Sequence, residues 1–433
     1  MVLMGALVLA AYSSFRKPLW IDEFLHFALG GLDVADAWAV VVNSTVGVNH
    51  GQTGVYMMLD VLLLHLFGAS SLALRLPSLV AGVGLLLAGV WFLRLRGMSS
   101  GWQMLGLVAL AAQTTLMYHA GEARPYMPLA AATVGCLAYY SVPIETRAAW
   151  RFQLLGIVSF ILGALMHAYF PMMLALVAPF SAWVAVRDGL IARTPRSVIR
   201  FLNPPLVLLA AGFSLGIGLL TWLRGSPRFD LDPYVSFGGP AQMFVGLLAR
   251  HLELLIGLPA AAVLLVVTVL ALARDLESRR ALASPAALVA VGLASSVIVT
   301  LASVSRSYWV FPRQWVAGMS LVALGLVWLF AEIDGAARRS SSWRLLVPSV
   351  LFRALVVASF ILALAGQATA LVRYQQQWQA TEASKPDRLA VEVERVEDND
   401  GWVALANVNM RTGGDVWREL ARYYKDYLPE RDP

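Results

Sequence analysis

Apolar runs long enough to be helices recur along almost the whole chain, and short arginine-rich segments separate them. No other feature limits the fold as much. A run of about 20 apolar residues in a helix reaches roughly 30 Å, the thickness of a bilayer's hydrocarbon core. Inside that core every backbone amide must be satisfied within the protein, which favours helices. The expected fold class is therefore an all-α polytopic membrane protein. Composition agrees: 59% of the 433 residues are hydrophobic and 14% are charged, against about 25% charged in soluble domains. Mean hydropathy is +0.68, so the apolar excess is general.

The net charge of +6 is carried almost wholly by arginine, with lysine only at Lys17, Lys385 and Lys425. These cations lie between apolar runs, the positive-inside pattern, which argues against a nucleic-acid partner. The single cysteine, Cys136, excludes an intrachain disulfide and a cysteine-only zinc site.

The pattern predicts about eleven transmembrane helices: Val2–Ala11, Leu76–Leu93, Trp102–Tyr118, Met127–Val142, Phe152–Met166, Met172–Val186, Phe201–Leu223, Leu254–Leu272, Ala286–Ser303, Val316–Ala331 and Leu345–Leu371. The first is short and reads as a helix rather than a signal peptide, the chain beginning late. Val55–Gly68 carries Asp60 and His65 and reaches only about 21 Å as a helix. It is expected to be interfacial or re-entrant. With that choice Arg94 and Arg96, Arg147 and Arg151, the set Arg187, Arg193, Arg196 and Arg200, the set Arg274, Arg279 and Arg280, and Arg338, Arg339 and Arg344 all fall on the cytoplasmic side. The outer face then receives a long first loop with interfacial helices (about residues 13–75), three shorter loops, and Ser305–Arg313. The expected organisation is a transmembrane domain over residues 1–372 and an outer tail over 373–433, a minimal or truncated outer domain. Gly82-Val83-Gly84 and the pair Gly212 and Gly216 read as helix-packing glycines.

Polar groups gather on the predicted outer side. Trp20-Ile21-Asp22-Glu23-Phe24-Leu25-His26 places two carboxylates just after the first helix. Asp22 and His26 share a face if a helix begins there, and both acids equally suit a helix first turn. Tyr118-His119-Ala120-Gly121-Glu122-Ala123-Arg124-Pro125-Tyr126 compresses ionisable and aromatic groups into one turn. Arg124 there either pairs with Glu122 or holds a phosphate with its guanidinium fork. Arg306, Tyr308 and Arg313 lie in an arginine–aromatic segment that reads as a boundary belt or as phosphate ligands. His167 and Tyr169 follow the fifth crossing, and His50 precedes the interfacial segment. Asp22, Glu23, His26, His50 and Glu122 are possible ligands for a divalent cation, with no diagnostic spacing; no cofactor is required.

Leu19-Trp20-Ile21-Asp22-Glu23, then Phe67-Gly68 with Leu74-Arg75-Leu76-Pro77-Ser78, then Glu122-Ala123-Arg124-Pro125-Tyr126 together resemble the GT-C glycosyltransferases. The nearest branch is the protein O-mannosyltransferase-like and aminoarabinose-transferase-like one. The resemblance covers about Met1–Leu371 and lies in the order and spacing of the pieces. It implies transfer of a sugar, with inversion, from a polyprenyl-phosphate carrier to a lipid, glycan or protein acceptor. The chemistry would occur on the outer face of the cytoplasmic membrane. It implies Asp22 as the catalytic acidic residue, with Glu23 beside it, and Arg124 and Tyr126 near the donor. Arg313 and Arg306 are further phosphate candidates; His26, His50, His119, Glu122, His167, Tyr169 and Tyr308 are expected to line the cavity. His50-Gly51-Gln52 stands where many relatives carry His-Pro-Pro, which leaves that contact open. Two other classes fit the composition: a lipid transporter or flippase, and an inactive GT-C-fold assembly partner. A transporter usually places ionisable groups at mid-membrane, whereas here they lie at helix ends.

Overall fold

A computed structural model describes residues 29–43, 53–68, 70–111, 119–223, 276–305 and 312–339, and isolated positions elsewhere, including Glu23 and His26. The described regular structure is entirely helical. It comprises α1 (Val34–Asn43), α2 (Val55–Phe67), α3 (Ser71–Leu95), α4 (Ser100–Ala111), α5 (Tyr126–Tyr140), α6 (Trp150–Met166), α7 (Phe170–Arg187), α8 (Pro195–Leu202), α9 (Pro204–Leu223), α10 (Leu276–Ser305) and α11 (Val316–Arg339).

Four segments are long and apolar enough to cross a membrane: α3, α7, and the stretches Arg280–Ala302 and Arg313–Ala336. The chain is thus a multi-pass membrane protein. Six predicted crossings coincide with α3, α5, α6, α7, α10 and α11. Val2–Ala11 and Leu254–Leu272 lie outside the described residues, and the described positions of Leu345–Leu371 are helical. Two predictions need correction. The described part of Trp102–Tyr118 is helical through Ala111, leaves the helix at Gln113 and is helical again at Leu116. Phe201–Leu223 is not one straight helix: α8 and α9 meet at 58°. Asn203 sits there in the left-handed region, at φ 53, and Pro204 follows it. Proline lacks the N–H a continuous helix needs, and asparagine tolerates the left-handed conformation. Asn203 Nδ2 donates to Tyr139 Oη at 2.8 Å, fixing the corner.

α11 is the central helix, almost wholly buried along its apolar length. It packs on α10 through small residues. A Cβ added at Gly292 would lie 2.6 Å from the Gly318 carbonyl oxygen, so the two backbones touch as small-residue interfaces allow. The predicted packing role holds for Gly82, beside Ala120 and Met127. Gly84, Gly212 and Gly216 meet no neighbour of this kind among the described residues.

The ends of the described helices gather in two polar layers. One is arginine-rich: Arg96 binds Asp188 at 2.6 Å and covers the Trp328 ring at 4.4 Å. Arg147, one of the cations assigned to this side, is buried. It donates to the carbonyls of Phe201 (2.6 Å), Tyr140 (2.8 Å) and Val142 (2.9 Å). Two of these carbonyls lie at helix C-terminal ends, where a cation complements the dipole.

The opposite layer holds the first loop. It includes α1 and α2, and a small apolar cluster of Leu29, Leu32, Ala37, Val41, Met57 and Val61 joins them. The 13 residues of α2 reach about 20 Å, less than the hydrocarbon core. Asp60 is fully buried, whereas His65 is exposed and its Nε2 bonds the Leu32 carbonyl at 2.8 Å.

Candidate active site

The first loop, the start of α3, the 119–125 turn, the α6–α7 corner and the start of α11 meet at this second polar layer. The sequence before α1 supplies Glu23 and His26, both helical and both fully buried. Arg75 donates to Glu23 twice, Nε to Oε1 and Nη2 to Oε2, each at 2.7 Å. The backbone N–H of Ala123 adds a third bond to Oε1 at 2.8 Å. Such a bidentate charge-assisted pair fixes geometry strongly. Glu23 is thereby committed as a brace between three segments.

His26 Nδ1 lies 2.6 Å from Asp60 Oδ2, across 34 residues, and its ring meets Tyr56 edge-on at 5.8 Å. Burial lowers the His26 pKa to about 4, opposed by the Glu23 charge. Burial, reinforced by that same charge, raises Asp60 well above the usual carboxylate range. The second layer of support is a relay from Tyr56 Oη to Ser78 Oγ at 2.7 Å, and from Ser78 to the Arg124 carbonyl at 3.0 Å. The 119–125 turn is thus held from both sides. Glu122 pairs with His119 at 2.5 Å.

Arg124 and Arg313, expected as phosphate ligands, are both buried and charged residues of this layer. They come from different parts of the chain: Arg124 precedes α5, and Arg313 lies in the short 3-10 helix Pro312–Trp315 that leads into α11. Tyr126 joins them. The Arg313 guanidinium lies 5.7 Å from its ring centre. His119 and His167 approach the same ring at 6.4 and 5.3 Å. Burial, and then the Arg124 charge, lower the His167 pKa to about 3. The His167 and Tyr169 rings lie 4.4 Å apart, tilted by 39°. Of the predicted site residues, Glu23, His26, His119, Glu122, Arg124, Tyr126, His167, Tyr169 and Arg313 all fall in this one layer. Asp22, His50, Arg306 and Tyr308 lie outside the described residues.

Arg75, Asp60, Tyr56 and Ser78 are supporting residues that sequence reasoning did not assign to the site. A lone arginine in the apolar start of α3 was the available signal, because a buried guanidinium requires a partner. The described residues do not form a metal site. Glu23, His26 and Glu122 bind Arg75, Asp60 and His119, and among the described residues no three His, Cys, Asp or Glu side chains converge as ligands. A small hollow beside Phe92, Arg96 and Trp328 lies in the opposite, arginine-rich layer, where Arg96 is already engaged.

No protein-family profile and no curated protein matches the sequence. Solved structures do. The chain is similar to ArnT from Cupriavidus metallidurans in its apo state, at 14% identity over 99% of this chain and 76% of that one, with a TM-score of 0.48. It is similar to the Archaeoglobus fulgidus oligosaccharyltransferase in the apo form, at 11% identity and a TM-score of 0.45, spanning 56% of that protein's length. The likeness to ArnT from Cupriavidus metallidurans bound to undecaprenyl phosphate is firmer: 14% identity, 91% of this chain, 80% of that one, and a TM-score of 0.55. At that level of similarity the chain shares the fold of ArnT.

Proposed function

We propose that the chain is a membrane glycosyltransferase that moves a sugar from a polyprenyl-phosphate carrier to an acceptor. The observation that carries this reading is the meeting of Arg124, Arg313 and Tyr126 in one buried layer at a bundle end. The fold is shared with a protein solved with undecaprenyl phosphate. Two guanidinium groups beside aromatic rings at a bilayer boundary suit a lipid-linked phosphate, whose tail would lie in hydrocarbon and whose charge would not.

In this reading Asp22 is the general base that takes the acceptor's proton as it attacks the anomeric carbon. Glu23, locked by Arg75 and Ala123, positions its neighbour. Arg124, Arg313 and Arg306 stabilise charge building on the departing phosphate. Attack from the opposite face inverts the anomeric centre. Residues 1–372 form the catalytic domain, and the tail from 373 lies on the same, outer side of the cytoplasmic membrane. This orientation follows from the arginine clusters.

The test is incubation of purified protein with a panel of polyprenyl-phosphate sugars, following release of polyprenyl phosphate. Turnover with any of them, lost in Asp22→Asn, supports the reading. Net movement of intact lipid-linked sugar across a vesicle bilayer, without release, would favour the transporter class.

A further inference from the structure

His167 ends α6 in extended geometry, at φ −154 and ψ 136. Its own N–H donates to the Gly163 carbonyl at 3.3 Å, and its carbonyl accepts from Phe170 N–H at 3.0 Å. Its ring is held as tightly. The backbone N–H of Tyr169 donates to His167 Nδ1 at 3.1 Å, and the Tyr169 ring lies tilted against the imidazole.

That backbone contact fixes the proton. An amide N–H only donates, so Nδ1 must present its lone pair. The neutral ring then carries its hydrogen on Nε2. An imidazolium would set two N–H groups against one another, so this geometry holds the ring neutral. Nε2 is buried and meets no hydrogen-bond partner in the structure, although the residue is wholly shielded from solvent. Buried donors are almost always satisfied, and an exception calls for a missing partner. The surroundings identify the partner's charge. Tyr126 lies 5.3 Å from the ring, Arg313 lies over Tyr126, and Arg124 is close enough to act on His167 electrostatically. A site with two nearby guanidinium groups and a neutral N–H donor is made for an anionic oxygen.

We propose that His167 Nε2–H donates to an oxygen of the lipid-linked phosphate, as a neutral third donor beside Arg124 and Arg313. This rests on the donor reading above and specifies it. A neutral donor adds a directed bond without a further charge, so the phosphate can leave again once the sugar has been transferred.

The experiment measures binding of short-chain polyprenyl phosphate to the full chain in detergent. Wild type is compared with His167→Phe, which keeps a ring and lacks the donor, and with His167→Gln, whose amide restores an N–H. Thermal melting confirms folding. His167→Phe should bind about 10- to 100-fold more weakly, the range for a hydrogen bond to a charged acceptor, and His167→Gln should recover part. The wild-type to Phe ratio should stay constant from pH 5.5 to 8. In 15N-labelled wild type the Nε2 signal should shift on saturation with the lipid phosphate and not with inorganic phosphate. Equal affinity in folded His167→Phe, a ratio that rises on acidification, or an equal shift with inorganic phosphate would each overturn the proposal. If His167→Phe does not fold, His167→Gln and the 15N signal decide it, and an unmoved Nε2 overturns it. Wild type that binds no polyprenyl phosphate at all would instead bring down the donor reading itself.

Discussion

The guanidinium of Arg313 lies 5.7 Å from the ring centre of Tyr126, although 187 residues separate them. α11 and the start of α5 are thereby coupled at the point where the proposed phosphate would bind. Arg124→Ala and Arg313→Ala should each lower turnover by tens-fold, since a desolvated charge-assisted contact contributes about 1.5–3 kcal/mol. Lysine keeps the charge and loses the fork, so each Arg→Lys variant should recover only part. Steady-state release of polyprenyl phosphate is the measurement. Wild-type turnover in folded Arg124→Ala would remove the phosphate role.

Asp22 and Glu23 are adjacent and should respond in opposite ways. Glu23 is sealed in a buried pair with Arg75, so removing its charge leaves a buried guanidinium uncompensated, at a cost of about 3–5 kcal/mol. Glu23→Gln should therefore melt at markedly lower temperature. Asp22→Asn should melt like wild type, bind polyprenyl phosphate, and lose about 10²–10⁴ in turnover. Full activity in Asp22→Asn sinks its role as base.

Acidification should weaken the site layer. His26 and His167 have folded pKa values of about 4 and about 3, below the ordinary 6.5. Their contribution is intact above pH 6.5. It is lost as pH falls, down to about 4 for His26 and about 3 for His167. Asp60 has the opposite sign: its raised pKa gives stability that is full at low pH and lost as pH rises through the folded value. Two groups oppose one, so melting temperature should drop between pH 6.5 and pH 4. Each histidine accounts for at most about 1.4 kcal/mol per pH unit. His167→Gln should flatten the slope, and an unchanged slope would show that His167 does not titrate on unfolding.

α2 should not cross the bilayer, being 13 residues long with Asp60 buried against the bundle. Single cysteines at Gln52 and Ser71, in a Cys136→Ala background, should both label from outside the cell. Labelling of Ser71 from the cytoplasm would invert the orientation assigned to Arg124.

Helices were legible where one local signal sufficed. α3, α7 and α11 follow apolar runs bounded by charge, because burial in hydrocarbon acts on each segment separately. The bend at Asn203 had a local signal too, Asn203-Pro204-Pro205, which length alone concealed. α1 was hidden because it is short and half-exposed, although Asp36 in its first turn is a recognisable start. The site was legible as a set of residues and not as a set of pairs. His119 and Glu122 are three apart on the chain, but Arg75 and Glu23 are joined only by tertiary structure. The glycine reading holds at Gly82. Spacing such as that of Gly212 and Gly216 marks a smooth helix face, and only the neighbouring helix decides whether anything packs there.

The brace around Glu23 also orders events during synthesis. Glu23 leaves the ribosome 52 residues ahead of Arg75 and 100 ahead of Ala123. Both must be made before this brace can fix the first loop on the bundle. His167 and Arg313 follow later still in the chain, so the layer around Tyr126 is completed only when the start of α11 arrives.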